Sequence, residues 1–198
     1  GKQYRLPDLF MVLATQNPIE QEGTYNLPEA QLDRFLMYIK IDQPDADTER
    51  KILKLVRTEQ RETKEQDPAW QEFSKTVGKI AVEDILTARR EVLSMHVSES
   101  LEEYLVQLIV ATRKPEKYDA SLRDKILFGA SPRATIALDK CAKINAGLDG
   151  RDFVTPEDIH AVIYDVLRHR IILSFEAQAD GLTTDDIIAS LLKTVPLP

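Results

Sequence analysis

The chain has 198 residues, of which 43% are hydrophobic and 30% charged, and its net charge is −7. This composition supplies enough apolar side chains for a folded core and argues against disorder. The negative charge disfavours nucleic acid or an anionic membrane as a bulk electrostatic partner. The single cysteine, Cys141, cannot form an internal disulfide, which favours a reducing, cytoplasmic location. No apolar stretch approaches the roughly 20 residues that a membrane span needs.

The first sixty residues have the pattern of an α/β domain with too few strands. The unbroken apolar run at 9–14 predicts a strand covered on both faces, and alternation over 35–41 predicts a second strand. Residues 1–6 alternate weakly, as one arm of a hairpin would. Two short strands and half a hairpin do not make a stable sheet, so we expect this segment to pack against further protein.

Most of the remaining sequence predicts helices. A helix is expected over 48–62, and another begins at Val82. Four later helices have predicted N-terminal signals, namely Ser100 with Glu103, Ser131 with Pro132, Thr155 with Pro156, and Thr184. The predicted organisation is an incomplete α/β part over 1–75 and a helical bundle over 76–198.

Asn17 is the first candidate functional residue. It lies just beyond the first predicted strand and precedes Pro18, which biases its backbone away from helix. Ligands of open α/β sheets bind beyond the carboxyl ends of strands. The amide of Asn17 is therefore placed to orient a water molecule or to contact a γ-phosphate. The same spacing also fits an Asx-turn that only ends the strand.

Two arginines are candidates for binding an anion. Arg34 follows a short helix that Pro28 can start, and it either pairs with Asp33 or Glu29 or reaches the phosphates of a neighbouring subunit. Arg133 lies in the first turn of a helix, where a cation typically costs about 0.3–1 kcal/mol. A helix N-terminus with an arginine suits an anion, and Gly129 permits close backbone approach just before it. The alternative is that Arg133 is simply solvated.

The sequence offers no support for a metal centre or for a hydrolase triad. The three histidines, His96, His160 and His169, lack metal-ligand spacing. They are expected to be surface or helix-end residues, and His169 and Arg170 fit the last turn of a helix, where cations are favoured. The chain contains no G-x-S-x-G motif, and neither G-x-x-x-x-G-K-[S/T] nor G-x-G-x-x-G occurs.

Three strings together resemble the MoxR family of AAA+ ATPases. They are ATQNPIEQEGTYNLPEAQLDRFL at 14–36, GASPRATIAL at 129–138, and LDGRDFVTPEDI followed by VLRHRIIL within 148–173. The resemblance implies an α/β + α fold, in which the C-terminal strands of an incomplete AAA+ αβα core precede an all-helical lid. It also implies that Asn17 (sensor 1) and Arg34 (arginine finger) are catalytic. Arg133 would be sensor 2 and bind nucleotide within its own subunit.

The same resemblance implies an ATP- and Mg²⁺-dependent machine that assembles into a ring such as a hexamer. Its expected role is chaperone-like maturation of client proteins or insertion of their cofactors, often with von Willebrand A domain partners. The Walker A and B motifs would lie upstream of Gly1, so the chain alone is expected to be inactive and to lack the magnesium ligands. The alternatives are a related motor, such as a magnesium-chelatase subunit, and a non-enzymatic helical docking module.

Overall fold

The computed structural model describes residues 3–16, 27–61 and 80–198, except for the side chains of 58–61. The helices are α1 Glu29–Leu32, α2 Ala46–Arg61, α3 Val82–Leu93, α4 Glu99–Arg113, α5 Pro132–Leu148, α6 Pro156–Leu167, α7 Phe175–Ala179 and α8 Thr184–Thr194. Two 3₁₀ turns, Pro115–Lys117 and Ala120–Leu122, follow α4. Strands β1 Ile126–Phe128 and β2 Ile172–Leu173 pair antiparallel, so the helical bundle also includes a small sheet that the sequence pattern does not predict.

The chain divides into two compact units. The smaller unit covers 40–87 and includes α2, whose apolar side chains Ile52, Leu55 and Val56 are exposed. The larger unit combines residues up to 39 with residues 88–198. The predicted domain boundary between 75 and 76 lies outside the described residues. No helix in the described ranges has the length and hydropathy to cross a bilayer.

The core of the larger unit lies among α4, α5, α6 and α8, whose apolar side chains at helical spacing are buried. Helix α5 contributes mainly small side chains, which let it pack closely against both α4 and α6. The buried positions of the other three helices include Leu101, Leu105, Leu108, Ile109 and Thr112 in α4, Ile159, Val162, Ile163, Val166 and Leu167 in α6, and Ile187, Ile188 and Leu191 in α8.

Two of the predicted helix caps are correct and two are shifted. Ser131 caps α5 and Thr155 caps α6 as predicted, each with proline at the first helical position. Helix α4 is capped by Ser98 instead of Ser100, because Ser98 has the extended backbone of a cap and accepts from the Leu101 amide. Helix α8 is capped by Thr183 instead of Thr184, because Asp186 three residues later returns the hydrogen bond.

The predicted strands at 9–14 and 35–41 are not formed, which corrects the sequence analysis. A strand exists only through its ladder hydrogen bonds, and neither segment pairs with another described segment. Leu9, Phe10, Met11, Val12 and Leu13 are all exposed. At 35–41 the backbone groups form hydrogen bonds with other parts of the chain. The amide of Tyr38 donates to the Asp165 carbonyl over 2.8 Å, and side chains just beyond α6 donate to several carbonyls of the segment.

Candidate anion-binding cleft

The turn between β1 and α5 is held tightly against the end of α4. A Cβ atom on Gly129 would lie 2.4 Å from the Thr112 carbonyl oxygen, so only glycine fits there. The next amide, of Ala130, donates to Thr112 Oγ1 over 2.9 Å, and Arg113 Nε donates to the Ala130 carbonyl over 2.7 Å. The predicted close approach at Gly129 is therefore confirmed, and it fixes where α5 begins.

Helix α5 starts with Arg133 facing outward. Ser131 Oγ accepts from the Arg133 amide over 3.2 Å and caps the helix. The Arg133 side chain is 55% exposed. Arg133, Ile136, Ala137 and Lys140 follow i, i+3, i+4, i+7 spacing, so they lie on one face of the helix. Helix α5 therefore presents the cations Arg133 and Lys140 on one face.

Asp33 connects the end of α1 to the start of α5. Its carboxylate accepts from Ser131 Oγ at 2.9 Å and lies 3.8 Å from Arg133 Nη1. It also accepts from Arg170 Nε over 3.2 Å. The neighbouring Arg34 is exposed, and no ion pair of its guanidinium with Asp33 or Glu29 is found among the described residues. Asp33 thus pairs with Ser131, Arg133 and Arg170, while Arg34 next to it is exposed.

Three consecutive cationic or ionisable residues beyond α6 bind the backbone around Arg34. Arg170 donates to the carbonyls of Phe35 at 2.5 Å, Leu36 at 3.1 Å and Asp33 at 3.4 Å. His169 Nε2 lies 3.2 Å from the Phe35 carbonyl, and Arg168 Nη1 donates to that of Tyr38 over 3.1 Å. The sequence predicts Arg170 in the last turn of the helix, but α6 ends at Leu167 and the Arg170 side chain is only 2% exposed.

Burial governs the electrostatics of this junction. Burial, together with the positive charge of Arg170, lowers the pKa of His169 to about 4. His169 Nδ1 is buried without a hydrogen-bond partner among the described residues, and its ring stacks on Tyr38 with centroids 6.1 Å apart. Burial also lowers the pKa of Arg170, whereas the carboxylate of Asp33 raises it. The junction therefore holds a neutral histidine beside a buried ion pair.

These elements surround an open cleft of about 270 Å³. Four cationic side chains line it, Arg34, Arg133, Lys140 and Arg170, and the described lining includes one carboxylate, Asp33. Guanidinium groups match phosphate oxygens in geometry and charge, so the cleft suits an anion. It does not suit Mg²⁺, which prefers oxygen ligands. No group of three His, Cys, Asp or Glu that could hold a metal occurs among the described residues.

The structure brings together two of the three predicted site residues. Arg34 and Arg133 line the same cleft, although they are 99 positions apart in the sequence. Asn17 lies outside the described residues, so its role stays a prediction. Sequence reasoning missed Asp33 and Arg170 as organisers of the cleft. The available signal was the Arg-His-Arg triplet at 168–170, which immediately follows an apolar helix and precedes an apolar strand.

Two family models match the chain. One, described as an ATPase family associated with various cellular activities (AAA), covers residues 1–37. The other, described as an AAA lid domain, covers residues 120–191. Together they confirm the predicted fold class, in which residues of an AAA+ core precede a helical lid.

Known proteins resemble the chain over its whole length. Chaperone MoxR1 from Mycobacterium tuberculosis is 37% identical over 199 residues, a match that covers 100% of this chain and 49% of that protein. Protein MoxR from Methylorubrum extorquens is 34% identical, with 100% and 58% covered. A crystal structure of a "putative ATPase" from Cytophaga hutchinsonii superposes with a TM-score of 0.85 at 44% identity, covering 98% of this chain and 56% of that one. The chain spans about half the length of the curated relatives it matches.

Proposed function

The chain belongs to the MoxR family of AAA+ ATPases, and we propose that it forms the C-terminal part of the motor of a ring-shaped ATPase. Within the whole protein it would supply the end of the AAA+ core and the lid. The phosphate loop and the Walker B acid would come from the N-terminal half of that protein, since the 198 residues contain no phosphate-loop motif. The whole protein would hydrolyse ATP with Mg²⁺, and this chain alone would not.

The shared cleft is the observation that carries the proposal. Arg34 and Arg133 line one open, cation-rich cleft, and no ion pair of Arg34 occurs in the part of the chain that the structure describes. We assign Arg34 as a catalytic arginine finger that contacts the nucleotide of a neighbouring subunit, and Arg133 as a nucleotide-binding residue. A finger of this kind contributes roughly 10³–10⁵ in turnover. Asn17 is assigned the orientation of the attacking water, from its position in the sequence alone.

The exposed apolar run at the start of the chain supports the core assignment. Leu9 to Leu13 are each at least 41% exposed, and such a run is typical of a strand buried on both faces in a parallel sheet. We propose that this run becomes a central strand when the rest of the core is present. Asn17 would then lie near the carboxyl end of that strand, where ligands of α/β sheets bind.

The proposed biological role is based on the similarity to a protein named as a chaperone. We propose that the whole protein assembles into a ring, such as a hexamer, and uses ATP hydrolysis to mature client proteins or insert their cofactors in the cytoplasm. Von Willebrand A domain proteins are proposed partners. An acidic chain with net charge −7 gives no reason to expect nucleic acid among the partners.

Mixed rings of the whole protein test the central assignment. Arg34→Ala should leave ATP binding by each subunit intact and reduce turnover by at least about 10³-fold. Mixing these subunits with subunits disabled in the phosphate loop should recover part of the activity, because intact sites form at some mixed interfaces. Arg123→Ala is the control, since it removes an exposed arginine that does not line the cleft.

Two outcomes would contradict the assignment. Wild-type turnover in Arg34→Ala would make Arg34 a simple surface residue. Lost turnover without recovery, in mixtures where native mass spectrometry shows mixed rings, would indicate a structural role within the subunit. As a further check, the 198-residue chain alone should show no Mg²⁺-dependent ATP turnover above a heat-treated control.

A further inference from the structure

The cleft is built from two distant parts of the chain that are joined by one buried arginine. Arg170 donates to the Asp33 carboxylate and to the main-chain carbonyls of Asp33, Phe35 and Leu36. These carbonyls lie on both sides of Arg34. Nη1, which donates to the Leu36 carbonyl, also donates to the Val166 carbonyl near the end of α6. One guanidinium thus fixes the backbone of the Arg34 segment to the lid.

Asp33 extends this connection to the second arginine of the cleft. Its carboxylate accepts from Arg170 on one side and from Ser131 Oγ, at 2.9 and 3.0 Å, on the other. Ser131 is the cap of α5, and its hydroxyl also accepts from the Arg133 amide. A continuous set of hydrogen bonds therefore runs from Arg170 through Asp33 and Ser131 to the backbone of Arg133.

Because Arg170 is buried, the connection between the lid and the Arg34 segment is costly to break. A buried cation is costly unless it is paired and hydrogen-bonded, and the acceptors of Arg170 are supplied largely by the Arg34 segment. Arg34 and the lid also belong to the same compact unit of the chain. Movement of the lid would therefore carry Arg34 with it unless the buried pair breaks.

On the basis of the proposed function, we propose that Arg170 is a positioning residue that holds Arg34 and Arg133 as one rigid pair directed at a single phosphate group. Both arginines then act on the same nucleotide. This revises the expectation that Arg133 serves its own subunit, because Arg34 is assigned to the nucleotide of the neighbour. Asp33 is the second positioning residue, because it joins Arg170 to Ser131.

The test is a double-mutant cycle on the ATPase activity of the whole protein. Arg170→Lys keeps the positive charge but loses the planar set of donors that reaches several carbonyls. We expect it to lower kcat by about 10- to 100-fold, the range for a displaced catalytic group, with the KM for ATP nearly unchanged. In an Arg34→Ala background the same substitution should lower kcat by a smaller factor than in the wild type, because the finger is already missing and only the placement of Arg133 remains to be lost.

Asp33→Asn provides a second variant, because it keeps the side-chain shape and removes the bridging charge. It should reproduce the loss of kcat and the same lack of additivity with Arg34→Ala. Thermal unfolding of every variant is measured, and turnover is assayed below the lowest transition. If a substitution only weakens the fold, its fold-reduction in kcat should be the same with and without Arg34→Ala. Such independent effects in both variants would overturn the inference. Unchanged kcat in both would do the same.

The mixing experiment tests the shared phosphate separately. Arg133→Ala subunits should regain activity in the same mixtures with phosphate-loop variants that rescue Arg34→Ala. Rescue of Arg34→Ala without rescue of Arg133→Ala would overturn the inference and leave the arginine-finger assignment standing. Full activity of Arg34→Ala itself would instead refute the proposed function, and the inference with it.

Discussion

Gly129→Ala should destabilise the chain because the added methyl group has no space. Its Cβ would lie 2.4 Å from the Thr112 carbonyl oxygen and 2.8 Å from the Arg113 amide nitrogen, whereas ordinary contacts begin at 3.4 Å. The turn must therefore move by about 1 Å, an overpacking change that costs about 1–3 kcal/mol. The movement also disturbs two hydrogen bonds of Ala130, worth about 1 kcal/mol each. The stiffer unfolded chain offsets about 0.4–1 kcal/mol, which leaves a net loss of about 2–5 kcal/mol.

Urea unfolding of the chain followed by circular dichroism measures this loss. Gly147→Ala is a matched control, because Gly147 lies inside α5 and its added Cβ would approach only the ends of the Met95 and Val92 side chains, at 3.3 and 3.6 Å. Alanine is favoured over glycine in a helix by about 1 kcal/mol, so the control should be neutral or more stable. Equal or higher stability of Gly129→Ala would refute the argument that contact with the end of α4 fixes the start of α5.

Two further predictions concern charges in the lid. Because the pKa of His169 is lowered to about 4 in the folded chain, the unfolded state binds more protons between pH 4 and the ordinary value near 6.5. Wild type should therefore lose up to about 3 kcal/mol relative to His169→Gln as pH falls through this window, measured by urea unfolding; a constant difference would contradict it. Asp158→Asn should cost about 3 kcal/mol, because the buried carboxylate accepts from Arg151 Nη1 and Nη2, both at 2.6 Å. Asp149→Asn, which alters an exposed partner of the same arginine, should leave the urea midpoint nearly unchanged, and equal effects of the two variants would count against the buried pair.

The parts of the fold that the sequence predicted are those decided by local patterns. The apolar faces of α4 and α6 follow helical spacing, and Ser131-Pro132 and Thr155-Pro156 are caps whose partners lie within three residues. The segment at 35–41 alternates like a strand, yet it forms none, because its backbone partners come from residues 165–170. Whether an alternating segment becomes a strand depends on which groups reach its carbonyls, and spacing within the segment carries no information about them.

The same reasoning explains why the sequence identified Arg34 and Arg133 as candidates but not the residues that join them. Each arginine is conspicuous by its own surroundings, one after a proline-led helix and one at the wrong end of a helix dipole. Arg170 follows the end of α6, where a cation is locally favourable, so its position had a sufficient local explanation. Its burial is decided instead by carbonyls 134 or more positions away. A cation that satisfies a local rule and is nevertheless buried must derive its stability from distant acceptors, and here those acceptors surround the proposed arginine finger.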